Sequence, residues 1–223
     1  MLAPAFEAVT SNPGTGGASH NFTSPAITDA NYAIISLAYE RNSVNINSPT
    51  CTFDGVGLDR ICWKYIQDTH FWGVAMWRIA NPGASKNIVV AWGVSAGFQI
   101  STCRTYKNVG LGDPHGAVAT ASGIGTAVSV SVASAVGHLV LDIANQNTGT
   151  FNVGAGQTVR HQIDYEAAYA AGSDEPGAAG SVAMTWTTGN ARAWAAAGVS
   201  LKPQKAGGQV IWVMSKIQDF FNE

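Results

Sequence analysis

Apolar residues in this chain come in short blocks, rich in β-branched and aromatic side chains and closed by Gly, Asn or Pro. Tyr32–Tyr39 (YAIISLAY), Phe71–Ile79 (FWGVAMWRI), Asn87–Gly93 (NIVVAWG) and Phe98–Tyr106 (FQISTCRTY) are such blocks. Ala127–Val132 (AVSVSV) and His138–Ala144 (HLVLDIA) follow, then Thr158–Ile163, Ser181–Thr187 and Arg192–Leu201. Successive side chains of a strand point to opposite faces, so strict alternation marks a half-buried strand. In AVSVSV, Val128, Val130 and Val132 share one face and serines the other. Turn-forming residues separate the blocks: Asn81-Pro82-Gly83, Gly110–Pro114, Asn145–Gly149, Glu175-Pro176-Gly177 and Thr188-Gly189-Asn190. Helical periodicity is nearly absent before residue 208. The pattern predicts an all-β antiparallel sandwich. The Ala-rich stretch Tyr165–Gly172 shows no amphipathic face and is read as a further strand.

With 223 residues, 46% of them hydrophobic, the chain can bury a real core as one large domain or two small ones. Charged residues make up only 12%, against about 25% in ordinary soluble domains. The 12 basic and 14 acidic residues leave a net charge of −2 with no cluster of Lys or Arg, which argues against a nucleic-acid partner. No stretch approaches the ~20 apolar residues of a membrane span. The opening MLAPAFEAVTSNPG lacks the cationic start and apolar run of a secretory signal. The expectations are no membrane partner and no signal-dependent secretion. Cys51, Cys62 and Cys103 are odd in number and form no CxxC pair, which suits three reduced thiols, with a Cys51–Cys62 bridge as the alternative. Asn21-Phe22-Thr23 fits a glycosylation sequon, which without a signal reads as a chance match.

Residues 1–203 are read as the sandwich, 204–208 as a Gly-rich joint and 209–223 as a short amphipathic α-helix. Within QVIWVMSKIQDFFNE, Val210, Val213, Met214, Ile217, Phe220 and Phe221 recur at helical spacing, and Trp212 widens the apolar surface. An isolated helix of this length is marginal in water, so the tail must dock, either on its own sandwich or on a neighbouring subunit. A second feature bears on association. From residue 108 to residue 159 only Asp113 and Asp142 are formally charged. Either this is a Ser/Thr/Gly surface, polar without being ionic, or it faces other subunits, where charged residues are depleted.

Motifs that carry chemistry are weak. Gly93-Val94-Ser95-Ala96-Gly97 fits G-x-S-x-G, but a nucleophile elbow must be followed by a helix, and the next block reads as a strand. A hairpin turn is expected there. His20, His70, His115, His138 and His161 include no HExxH pair and nominate no three converging ligands, so neither a metal nor a cofactor is expected. His138 and Asp142 would share one strand face; His161 and Asp164 would face oppositely. Asp54-Gly55 and Asp113-Pro114 read as turn caps. Among seven tryptophans, Trp72 and Trp77 lie on opposite faces of one strand, as expected where both faces are covered; one exposed Trp would suffice for carbohydrate.

AVTSNPGTGGASHNF, YAIISLAYERN, CTFDGVGL, FWGVAMWRIANPGASKNIVVAW, GHLVLDIA, GAGQTVRHQ, AGSVAMTWT and RAWAAAGVSLKP stand in this order. Together they resemble a family of jelly-roll-like β-sandwich domains found in tailed-phage virion proteins and bacterial surface proteins. The resemblance spans roughly residues 5–203 and brings no catalytic residues; the tail departs from it. It implies a non-catalytic structural protein of a virus particle, a phage capsid decoration (cement) or other virion accessory, assembled in the host cytoplasm. Its partners would be the major capsid protein or neighbouring copies in a homo-oligomer. The expected assembly interface is Val210, Trp212, Val213, Met214, Ile217, Phe220 and Phe221. The competing expectation is a carbohydrate- or cell-surface-binding module.

Overall fold

The computed structural model describes residues 1–41, 48–93, 97–147, 149–166 and 168–205. Every element in them is a strand, and every ladder is antiparallel. The first sheet runs β1 (Ala5–Thr15), β9 (Phe98–Lys107), β3 (Tyr32–Arg41), β7 (Phe71–Ala80), β6 (Arg60–Gln67). The second runs β10 (His115–Ser134), β15 (Gly180–Leu201), β11 (Leu139–Asn147), β14 (Ala168–Pro176), β13 (Thr158–Tyr165), with β12 (Phe151–Val153) joined to β15. The third and smallest runs β2 (Ser19–Thr23), β8 (Asn87–Ala91), β4 (Thr50–Phe53), β5 (Val56–Gly57).

Alternation along the strands explains the stacking. On β3, Tyr32, Ile34 and Ala38 join Val74, Met76, Ile100 and Tyr106 against Leu141, Ile143, Ala197 and Val199 of the second sheet. The other face of the same strands, with Ile35, Leu37, Tyr39, Trp77 and Cys103, meets Phe53, Ile88, Val90 and Trp92 of the third sheet. The first sheet is therefore buried on both faces. This is why Phe71–Ile79 carries apolar side chains on both: Trp77 is covered by the chain's own third sheet rather than by another subunit. Asn145 ties the two large sheets together, its Nδ2 donating to the Tyr39 and Gly73 carbonyls at 2.7 and 3.0 Å.

Three sequence expectations need correction. Ser181–Thr187 and Arg192–Leu201 are two halves of one strand, β15. Gly125 pairs Arg192 and Ala127 pairs Thr187, so residues 188–191 sit opposite Thr126 alone. The supposed turn at Thr188-Gly189-Asn190 is a large bulge, where the β10–β15 ribbon bends back over the outer face of the second sheet. There Val128, Val130, Val132, Met184 and Trp186 enclose a third core with Val140, Tyr169 and Ala171. Second, Tyr165–Gly172 is not one strand. Glu166, at φ 55°, turns the chain between β13 and β14. Third, six strands fall outside the expected blocks: in β1, β2 and β6 the apolar residues are diluted by Pro, Ser, Asn or charges, and β4, β5 and β12 are only 4, 2 and 3 residues long. The tail expected as a helix lies outside the described residues.

Candidate functional site

The G-x-S-x-G stretch links β8 in the third sheet to β9 in the first. It is a crossing between sheets, not the hairpin turn expected. A strand follows it, so no helix lifts a hydroxyl there; Ser95 itself lies outside the described residues. His138 precedes β11 and its Nδ1 lies 2.8 Å from Ser200 Oγ, whereas Asp142 is buried, bound to other partners. His161 points inward and Asp164 outward, as their spacing requires. Asp54 pairs with Lys86 at 2.8 Å and Asp113 with Lys202. Among the described residues no three His, Cys, Asp or Glu side chains cluster as metal ligands. All three cysteines are free thiols. Cys51 and Cys62 belong to cores on opposite faces of the first sheet and are not bridged. Burial pushes the thiols of Cys62 and Cys103 up to about 12, which makes them poor nucleophiles at neutral pH.

Sequence reading missed a polar cluster between the two large sheets. Arg104 on β9 is fully buried, with His161 on β13 opposite it. A Cβ placed on Gly172 would stand 2.9 Å from His161 Nδ1 and 3.0 Å from Arg104 Nη1. The two side chains thus converge over a residue that has no side chain of its own. Arg104 Nη1 donates to the Ser173 carbonyl at 3.2 Å, while its Nε and Nη2 have no protein partner. Neither ring nitrogen of His161 has one, nor does the Tyr106 hydroxyl. Burial, reinforced by the Arg104 charge, holds His161 well below its ordinary range and therefore neutral.

The nearby carboxylates are engaged elsewhere. Asp174 accepts both hydrogen bonds of a bidentate pair from Arg160, at 2.7 and 2.8 Å. Asp142 Oδ1 accepts from Ser173 N and Oγ, and its Oδ2 from Trp186 Nε1 at 2.6 Å. Burial raises the Asp142 pKa, and these hydrogen bonds oppose the rise. One signal of this cluster was legible: apart from Lys107 at its end, β9 carries a single charge, Arg104, spaced to share a face with Ile100.

The exposed sheet edges differ sharply. An unpaired edge invites another strand, and natural proteins guard it with charge, Pro, bulges or shortness. On β1 there is a bulge at Glu7, whose carboxylate accepts from the amides of Thr28, Asp29 and Ala30, and Pro13 lies farther along. On β6 the edge bears Arg60 and Lys64, and on β13 Arg160, Asp164 and a bulge. β2 has 5 residues and β5 has 2. β10 is different: 20 residues without Asp, Glu, Lys, Arg or Pro, paired only to β15 among the described strands. It slips register after His115 and bends after Gly125; between them Val118–Gly125 runs without interruption. Ile124 on this run is 70% exposed.

Of the described tryptophans, Trp72, Trp77, Trp92, Trp186 and Trp194 are buried, and Trp63 is half-buried. Trp63 and Tyr65 share one face of β6 with ring centroids 5.5 Å apart, but the Arg60 guanidinium lies 5.0 Å over the Trp63 ring. Val210, Trp212, Val213, Met214, Ile217, Phe220 and Phe221 lie outside the described residues. The described chain ends against the 110–114 loop, with Gly110 N donating to the Lys202 carbonyl and Gln204 N to that of Asn108. No family model, curated protein or solved structure matches the chain.

Proposed function

We propose that this chain is a non-catalytic structural protein of a virus particle, a phage capsid decoration (cement) protein or similar virion accessory with a jelly-roll-like sandwich. The observation that carries the assembly part of this reading is the β10 edge. Every other strand edge described above is short, charged or interrupted by Pro, whereas this long one carries neither charge nor Pro and is broken only at its two register shifts. A free monomer with such an edge is open to uncontrolled pairing; a subunit that covers it in an assembly is not. Depletion of charge is also the compositional mark of an interface core. The virion setting rests on the resemblance of the strand-and-turn segments. In this reading β10 serves contacts between subunits, and the apolar residues of 209–223 add a contact to capsid or to a neighbouring copy.

The experiment is native mass spectrometry of the full chain, alone and mixed with candidate particles. An oligomer or a particle-bound species is expected; a monomer that binds neither copies nor particles contradicts the proposal. A second reading, a carbohydrate-binding module, is favoured by the Trp63–Tyr65 pair, with Tyr65 41% exposed. Arg60 over Trp63 leaves little of that ring face for a sugar to stack on. Glycan-array binding by a monomer is the result that would choose it.

A further inference from the structure

The Arg104–His161 cluster points to a binding site independent of the assembly reading. Arg104 carries five N–H donors, and the protein supplies an acceptor for one, the Ser173 carbonyl. Its Nε–H, both Nη2 hydrogens and the second Nη1 hydrogen remain, together with the Tyr106 hydroxyl and the one N–H of a neutral His161. Against these donors the cluster offers fewer acceptors, the second nitrogen of the same imidazole and the oxygen of the Tyr106 hydroxyl. Both neighbouring carboxylates accept from other groups, Asp174 from Arg160 and Asp142 from Ser173 and Trp186. Neither lies within ion-pair distance of Arg104 among the described residues. A buried guanidinium left in this condition is strongly unfavourable.

Water alone is a poor remedy. Each water brings as many donors as acceptors, so it hands the surplus of donors on to the next atom. An anion supplies acceptors only, and it also neutralises the Arg104 charge. We propose that the Arg104–Tyr106–His161 cluster between β9, β13 and β14 binds one small monovalent inorganic anion such as chloride. Arg104 Nε and Nη2 hold it, and the Tyr106 hydroxyl and His161 complete the shell. The absence of a side chain on Gly172 keeps the imidazole and guanidinium close together. Outside the cluster, Arg160 lies against the Phe6 ring, 4.3 Å from its centroid, and pairs with Asp174. This closes the side toward β1 and makes the site a structural ion site rather than an open pocket.

An anion that binds the folded chain alone raises its melting temperature by mass action. At a chloride concentration about 100 times the dissociation constant, the rise for a domain of this size is about 5–10 °C. The test replaces sodium gluconate by sodium chloride at constant ionic strength and follows melting of the full chain. Wild type is expected to gain stability with chloride, Tyr106→Phe to need several-fold more chloride for the same gain, and Arg104→Met to lose the response. Crystals grown in sodium bromide should show an anomalous peak beside Arg104 Nε and Nη2. Should Arg104→Met fail to fold, Tyr106→Phe and the bromide peak decide the matter. Equal melting in chloride and gluconate, a response unchanged in the variants, or a site holding water without bromide would overturn the proposal. None of these results bears on oligomeric state, so the assembly reading stands or falls separately.

Discussion

Gly172→Ala is predicted to be one of the most damaging single-methyl changes in the protein. The added Cβ would stand 2.3 Å from His161 Cε1 and 2.9 Å from its Nδ1, well inside any real carbon contact. The imidazole cannot swing away: it is 8% exposed, with Arg104 beside it between two packed sheets. Overpacking of this kind costs about 1–3 kcal/mol, which at this chain length corresponds to a fall of roughly 2–12 °C in melting temperature. Gly112→Ala is the matched control. Nothing lies within 4 Å of the Cβ it would add, so loss of unfolded-state freedom should leave it neutral or up to about 1 kcal/mol more stable. The assay is urea and thermal unfolding of both variants and of Gly172→Ala/His161→Ala. In the double variant the clash with the imidazole is gone, leaving only the 3.0 Å approach to Arg104 Nη1, and a coupling of about 0.5–3 kcal/mol is expected. Equal stability of the two glycine variants, or no coupling with position 161, would refute the placement of His161 over Gly172.

Further outcomes follow from the same structure. His161 is held below its unfolded value of 6.5 by burial and by Arg104, so it contributes stability above that pH which is lost as pH falls toward its folded value. His20 and His138 shift the same way through burial; urea midpoints should fall between pH 7.5 and 5.5, and more shallowly in His161→Gln. A variant as steep as wild type would contradict this. Ser95→Ala should leave folding and binding intact, and a fluorophosphonate probe should not label Ser95; labelling would reveal a nucleophile. Chelation should not move the melting temperature, and a clear drop would expose a metal site. Deleting residues 207–223 should leave a folded, soluble sandwich with weakened association; unfolding would place the tail in the chain's own core.

How much could be read beforehand follows from burial. Strands buried on both faces, such as β3, β7 and β11, announce themselves as apolar blocks, and the alternating Val128–Val132 run shows its buried face directly. β1 does not, because AFEAVTSNPGT packs one face and spends the rest on turn residues and Pro. Gly189 and Asn190 signal a break, but a local signal cannot distinguish a turn that ends a strand from a bulge that bends one; only the β10 register decides. That Trp77 faces a third sheet rather than a second subunit is likewise a long-range fact. The polar cluster escaped for a similar reason: Arg104 and His161 are 57 positions apart (161 − 104), and only the stacking of the two large sheets brings them together.

The central claim is that β10 is an assembly edge, and charge placed on it is the direct measurement. Thr120 and Ile124 are exposed on the uninterrupted run, so Thr120→Lys/Ile124→Lys guards the edge without touching a core. Val159→Lys places one charge on β13, at the opposite edge of the same sheet, as control. Native mass spectrometry across the micromolar range should find wild type and the Val159 variant oligomeric, and the double variant folded but dissociated or strongly weakened. A wild type that binds neither copies of itself nor particles, or a double variant that associates as wild type does, would contradict the account.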